Sequence, residues 1–257
     1  MPSPRVPLEK GSKKLINAWA FYDWANSVYT LVISSAIFPI YFGALFTYVN
    51  TISFFNYDIK NTAVISFVTA FAFVIVAFIS PLLSGIADYI GNKKKFMKIF
   101  VYLGSLSCVG LYFFELETIY MGLFFYFLAM IGIWASLVFY NSYLPDIAYP
   151  EQQDRASARG FSMGYIGSVL LLLVNLAMVM EPHWFGISGS PEEASMEAMR
   201  YSFVSVGIWW SFFSQYSFYY LPKGNHEVKV TKDIFWNGFR ELRSVWNQLE
   251  HHLGIKR

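Results

Sequence analysis

The sequence predicts an all-α integral membrane protein, a bundle of six transmembrane helices. Three observations predict it. Only 14% of the residues are charged and 56% are hydrophobic, whereas a soluble domain carries about a quarter charged. Six stretches stay mostly apolar over about the 20 residues that a helix needs to cross a bilayer. Lysine and arginine crowd into alternate loops, as they do when successive loops lie on opposite sides of a membrane.

The six stretches are residues 16–46, 62–87, 96–114, 119–143, 160–180 and 201–221. Lipid offers backbone groups no partners, so such stretches are helices or strands of a closed barrel. Barrel strands alternate in polarity. These runs are continuously apolar, which leaves helices. The first run is longer than a bilayer requires and contains Pro39, so a tilt, a kink or an interfacial turn absorbs the excess. Residues 1–14 before it are polar, with Pro2, Pro4 and Pro7. No small-residue cleavage site ends the run, so it reads as a retained span rather than a signal peptide.

With the amino terminus placed in the cytoplasm, that side holds Arg5, Lys10, Lys13, Lys14, Lys93, Lys94, Lys95, Lys98, Arg155, Arg159 and every cation from Lys223 onward. Of the 19 Lys and Arg in the chain, only Lys60 and Arg200 fall on the other side. That imbalance sets the orientation and calls for an even number of crossings. Beyond the sixth span, Phe235, Phe239, Leu242, Trp246, Leu249 and Leu253 recur at helical spacing. Thr231 suits the cap and Asp233 the first turn. An amphipathic helix on the cytoplasmic membrane surface, or against the bundle, is expected there. The organisation is then a cytoplasmic tail (1–14), a six-span membrane domain (15–222) and a cytoplasmic segment (223–257), with no seventh span.

An ionisable side chain inside a span costs at least about 2.5 kcal/mol. Asp23 is such a residue. Asn26 and Thr30 lie three and seven positions on and share its helix face, with Tyr22 and Tyr29 adjoining. The group either lines a substrate or ion path or locks helix packing. Asn141, Ser142 and Asp146 end the fourth span beside Pro145, and Asn175 and Gln215 sit in the fifth and sixth. Taken singly, these suit hydrogen bonds between helices, although Asn141 is also placed on the path. Gly160, Gly164 and Gly167 put small residues on one side of the fifth span, a spacing that lets helices approach closely. The single Cys108 lies in an apolar run and has no intramolecular disulfide partner.

Between the second and third spans the chain reads Asp88-Tyr89-Ile90-Gly91-Asn92-Lys93-Lys94-Lys95. An acidic residue ends one span, a glycine turns the chain and cations open the next. Asp88 can meet a helix amino terminus or a neighbouring arginine, Arg155 or Arg159. This loop resembles the signature of the major facilitator superfamily, with Asp88, Gly91, Lys93 and Lys94 in matching positions. Ser84 stands where that signature opens on glycine, and Tyr89 where it has arginine. Tyr22-Asp23-Trp24-Ala25-Asn26 resembles the first span of the branch of vacuole effluxers and their bacterial relatives. The stretches 140–146 (YNSYLPD) and 157–167 (SARGFSMGYIG) are similar to the same branch.

The resemblance implies one six-helix half of a secondary transporter that has twelve or so spans. It implies movement of small solutes, with amino-acid efflux suggested by the fungal relatives, in a bacterial plasma membrane. It makes Asp88, Gly91, Lys93, Lys94, Arg155 and Arg159 a cytoplasmic gating set. The implied partners are the lipid bilayer, a small-molecule substrate and either a second six-helix half or a second copy. A non-transporting scaffold and an inactive half remain the alternatives.

No H-E-x-x-H, no metal-spaced Cys/His set and no nucleophile elbow occurs. The expectation is therefore no enzyme, no cofactor and no metal. The charge pattern gives no nucleic-acid footprint either. Reporter domains fused to either terminus should report the cytoplasm. A carboxyl-terminal reporter on the outer side would overturn the assigned orientation.

Overall fold

The computed structural model describes residues 8–54, 56–90 and 92–223, with 84–90 described by their backbone alone. The expected amphipathic helix after residue 223 lies outside the described residues. The first span is helix α1 (Lys13–Val28), a π-helical segment (Tyr29–Ile37) and helix α2 (Phe38–Leu45). Pro39 sits in the first turn of α2, where its missing N–H costs least. The wider winding just before it fits a chain that must continue through a proline, and π segments often mark functional positions.

An antiparallel hairpin follows, β1 (Thr51–Phe54) paired with β2 (Tyr57–Lys60) in the register Thr51 to Lys60. Asn56 turns it at φ 66°, a conformation that Asn tolerates. The Tyr120 hydroxyl donates to the Ser53 carbonyl and ties the hairpin to the next layer.

The remaining helices are α3 (Asn61–Ile90), α4 (Lys93–Gly110), α5 (Ile119–Ser142), the short α6 (Leu144–Ile147), α7 (Pro150–Met180) and α8 (Pro191–Tyr220). Several begin earlier than their apolar cores suggest. Asn92 caps α4 through Lys95 N–H, so Lys93 to Lys95 lie in the helix rather than in a loop. Helix α7 starts at Pro150, ten residues before its apolar run. Helix α8 starts at Pro191, where Ser190 and Glu193 form a reciprocal cap. Polar residues extend helices past a membrane boundary because their backbone bonds remain intrahelical.

Among the described residues, five helices are long and apolar enough to cross a membrane: Lys13–Leu45, Asn61–Leu83, Lys93–Phe113, Ile119–Ile147 and Pro150–Met180. The expected sixth, α8, has the length but not the aliphatic content. Its last twenty residues include Tyr201, Trp209, Trp210, Tyr216, Tyr219 and Tyr220, interleaved with Ser202, Ser205, Ser211, Ser214, Gln215 and Ser217. Rings with polar edges do not read as apolar, whether buried like Trp210 or exposed like Tyr201, Tyr216 and Tyr219.

The packing order runs α3, α5, α4, α8, α1, α7, each helix lying against the next. Helices α1 and α5 are also bridged by side chains. Glycines set the closest approach in this series. A Cβ on Gly132 of α5 would run into the Gly104 backbone of α4, and one on Gly104 would strike the Trp210 ring of α8. Toward the β-hairpin end, Phe38 stacks on Tyr126 at 4.4 Å, and Tyr41 donates its hydroxyl to the Phe114 carbonyl. Leucine at Gly132 should therefore separate α4 from α5. It should cost at least the roughly 1–3 kcal/mol of ordinary overpacking and reduce the yield of monodisperse protein in gel filtration. Alanine at Gly43, which meets nothing within 4 Å, should leave the yield unchanged.

Candidate functional site

The three family-like stretches meet around one carboxylate. Asp23 on α1 is buried, and the Tyr140 hydroxyl on α5 donates to its Oδ2 at 2.8 Å. Helix α7 presents its glycines to the same place. A Cβ on Gly160 would collide with Asp23 Oδ2 and lie 3.1 Å from the Tyr140 oxygen. One on Gly164 would strike the Ser27 hydroxyl, and one on Gly167 would lie 2.9 Å from the Trp24 ring. The glycine side of α7 thus lies directly on the face of α1 that carries Asp23, Trp24 and Ser27.

Aromatic groups hold the carboxylate's surroundings. Trp19 stacks on Tyr140 with ring centroids 4.3 Å apart and planes 10° from parallel. Its indole N–H donates to the Tyr140 carbonyl at 2.9 Å. Tyr22 donates to Ser136 Oγ on α5 at 2.9 Å, and Ser136 donates to the Ile133 carbonyl at 2.8 Å. On the other flank, the Trp209 indole N–H of α8 donates to the Trp24 carbonyl at 3.0 Å. Asp23 is therefore held by α1, α5 and α7 together, with Trp209 of α8 supporting the same turn.

The other path candidates are placed differently. Asn26 is buried, and its Nδ2 has no hydrogen-bond partner among the described residues. Thr30, two turns beyond Asp23, is exposed, as is Asn141 on α5. Tyr29 and Ile33, on either side of Thr30, are buried. Asn175 accepts a hydrogen bond from Ser205 at 2.9 Å, and Gln215 accepts one from Tyr102 at 3.2 Å. Both link neighbouring helices.

A second polar cluster lies where α4 begins. Lys93 Nζ meets Asp146 Oδ2 at 2.8 Å and the Ser142 carbonyl at 2.9 Å. It also sits 6.0 Å over the Tyr143 ring. Tyr143 in turn donates to the Pro222 carbonyl at 3.0 Å. One lysine thereby fastens the start of α4 to the end of α5, and Tyr143 fastens that end to the segment after α8. Lys94 is buried, whereas Arg155 and Arg159 are exposed on α7. Asp88 lies in the last turn of α3, and its side chain, like Gly91, lies outside the described residues.

Sequence reasoning did not place Tyr140, Trp19, Ser136 or Asp146 in a site. Two signals were available. Trp19 lies one helical turn before Asp23, and Tyr140 and Asp146 bound the 140–146 stretch.

Five helices of membrane-crossing length, joined by buried polar and aromatic contacts, define a multi-pass integral membrane protein. The chain belongs to the vacuole effluxer Atg22-like family, whose sequence profile matches residues 11–255. It is similar to YxiO, an uncharacterized MFS-type transporter of Bacillus subtilis (strain 168), at 31% identity over 245 residues. That alignment covers 93% of this chain and 54% of the relative. An uncharacterized protein of Aquifex aeolicus (strain VF5) is 30% identical over 190 residues, covering 72% of this chain and 43% of its own. The chain spans about half the length of the curated relatives it matches. No solved structure matches it.

The Lys93–Asp146 pair should couple in a double-mutant cycle. Lys93 is mostly covered while Asp146 is about half exposed, so the coupling should reach about 1 kcal/mol, the upper end for exposed pairs. It should shrink as salt rises. Additive effects of Lys93→Gln and Asp146→Asn on thermal stability would show that the contact carries no energy.

Proposed function

We propose that this chain is the amino-terminal six-helix half of a secondary active transporter of the major facilitator type, exporting small solutes. Amino acids are the substrate class that the family resemblance suggests. The observation that carries the reading is Asp23, a carboxylate buried ten residues into the first span and bonded to a hydroxyl on another helix. Such a group requires an offset, and a path that passes a proton or a cationic group supplies one. The Tyr140 bond joins α5 to α1 through an oxygen whose charge changes on protonation. A proton arriving at Asp23 would thus alter a contact between helices. Tyr22, Asn26, Thr30 and Asn141 belong to the same path in this reading.

The sixth crossing is α8. Within its first third, Arg200 pairs with Glu115 in the α4–α5 connection. Just past its end, Pro222 accepts from Tyr143 at the far end of α5. Helix α8 therefore runs the full depth that α5 runs, in line with six crossings and with both termini in the cytoplasm. The membrane domain is then 15–222, between the cytoplasmic segments 1–14 and 223–257.

The opposite ends of the packing series, α3 and α7, are the least buried of the five apolar spans. They offer the surface for a second six-helix half or a second copy. Asp88, with Arg155 or Arg159 as its partner, holds the cytoplasmic ends closed. Gly91, Lys93 and Lys94 belong to that gate.

Asp23→Asn should insert and fold as the parent does, because shape and Tyr140 contact survive. Transport in vesicles of the assembled transporter, normalised to folded protein, should fall about tenfold or more and lose its pH dependence. Unchanged transport with unchanged pH dependence would remove Asp23 from the mechanism.

A further inference from the structure

A groove of about 460 Å³ runs along the outward face of the seam between α4 and α8. Its floor is made by small residues. Gly207 lies so close to α4 that a Cβ there would strike the Ser105 carbonyl, and Ser211 continues the floor one turn on. Its flanks are Leu106, Ile208 and Phe212, all exposed. From Tyr102 to Val109 the groove spans eight residues of α4, roughly 10 Å of helix.

One end of this apolar slot is polar and then cationic. The Tyr102 hydroxyl donates to Gln215 Oε1 and spans the slot. One turn closer to Lys93, Lys98 Nζ lies 5.2 Å over the Phe218 ring, which is itself 6.4 Å from the Tyr102 ring. Lys98 meets no carboxylate within ion-pair distance among the described residues. Lys95 is exposed on the turn before it. Lys14, which lies 4.7 Å over the Tyr220 ring, adds a third cation at this end of α8. Ring stacking holds Lys98 and Lys14 in place while leaving their charges available.

We propose that this groove binds an anionic phospholipid of the cytoplasmic leaflet. One acyl chain lies between Leu106 and Phe212, and the phosphate lies at Lys98. The proposal rests on the orientation and the sixth crossing argued above. Shape and charge favour this occupant. The floor of Gly207 and Ser211 between exposed apolar flanks suits a thin acyl chain laid along the seam. A phosphate supplies an anion to the lysines at its end, and basic residues near an anionic leaflet attract its headgroups.

Native mass spectrometry of the purified protein with added phosphatidylglycerol or phosphatidylcholine tests this. The parent should retain phosphatidylglycerol about fivefold over phosphatidylcholine. Lys98→Gln should lose most of that preference while still retaining lipid. Ser211→Phe, which fills the slot, should lose retention of both lipids. Equal retention of the two headgroups by the parent, or an unchanged preference in Lys98→Gln, would overturn the proposal. So would a dimer of the parent that Ser211→Phe converts to monomer, since a second copy would then own the groove. Reporter fusions separate the two readings. Headgroup preference with outward-facing termini would refute the orientation and the cytoplasmic assignment, but not the lipid site.

Discussion

The contact between α7 and the Asp23 face of α1 is the constraint on which this bundle turns. A charged residue in the first span needs shelter from lipid and a partner for its oxygens. Shelter requires a second helix to come close, and only a helix without side chains at the contact can do so. Gly160, Gly164 and Gly167 meet that need. The partner comes from α5, as Tyr140. Separate requirements of one carboxylate therefore fix residues in two other helices, more than a hundred positions away. Alanine at Gly160 would add one methyl group where the carboxylate oxygen now sits.

Aromatic rings do in this protein what aliphatic side chains do in many helix bundles. The α1–α5 link is a stack of Trp19 on Tyr140, braced by Tyr22 on Ser136. Rings of this size keep two backbones apart while still filling the space between them. They also bring hydrogen-bonding edges into the interior, so the Trp19 indole satisfies a backbone carbonyl near the end of α5. The same choice explains why the composition of α8 does not read as apolar although one side of it packs inside the bundle. Its Trp210 ring and the serines Ser202, Ser214 and Ser217 turn inward, while Phe212, Tyr216 and Tyr219 lie exposed.

The fold class, the family resemblance and the existence of the apolar helices were legible because period, length and charge placement act over many residues. The positions of helix ends were less so, since nothing in an apolar run marks how far a polar helix continues past it, as at Pro150 and Pro191. Asp23 stood out as a lone charge among apolar neighbours. Its donor did not, because a tyrosine in an aromatic span looks like every other tyrosine until the helices are packed. Lys93 was visible as part of a basic run, but a run of like charges does not reveal which member turns toward Asp146. Pairings between helices depend on rotation about each axis, and a single sequence carries that information only weakly.

The exposed surfaces of the bundle differ in kind. Helix α3 offers a broad aromatic and aliphatic face, with Phe67, Phe71 and Phe78 all uncovered. Its neighbour α5 is the most buried of the five apolar spans, so burial drops steeply at that edge of the packing series. The exposed positions Thr30 and Asn141 are polar and belong to α5 and to the first span, the two elements that meet at Asp23. A bilayer suits the first kind of surface and penalises the second. The polar positions thus lie on the helices that hold the buried carboxylate, while the most continuous apolar face lies on a helix that does not touch it.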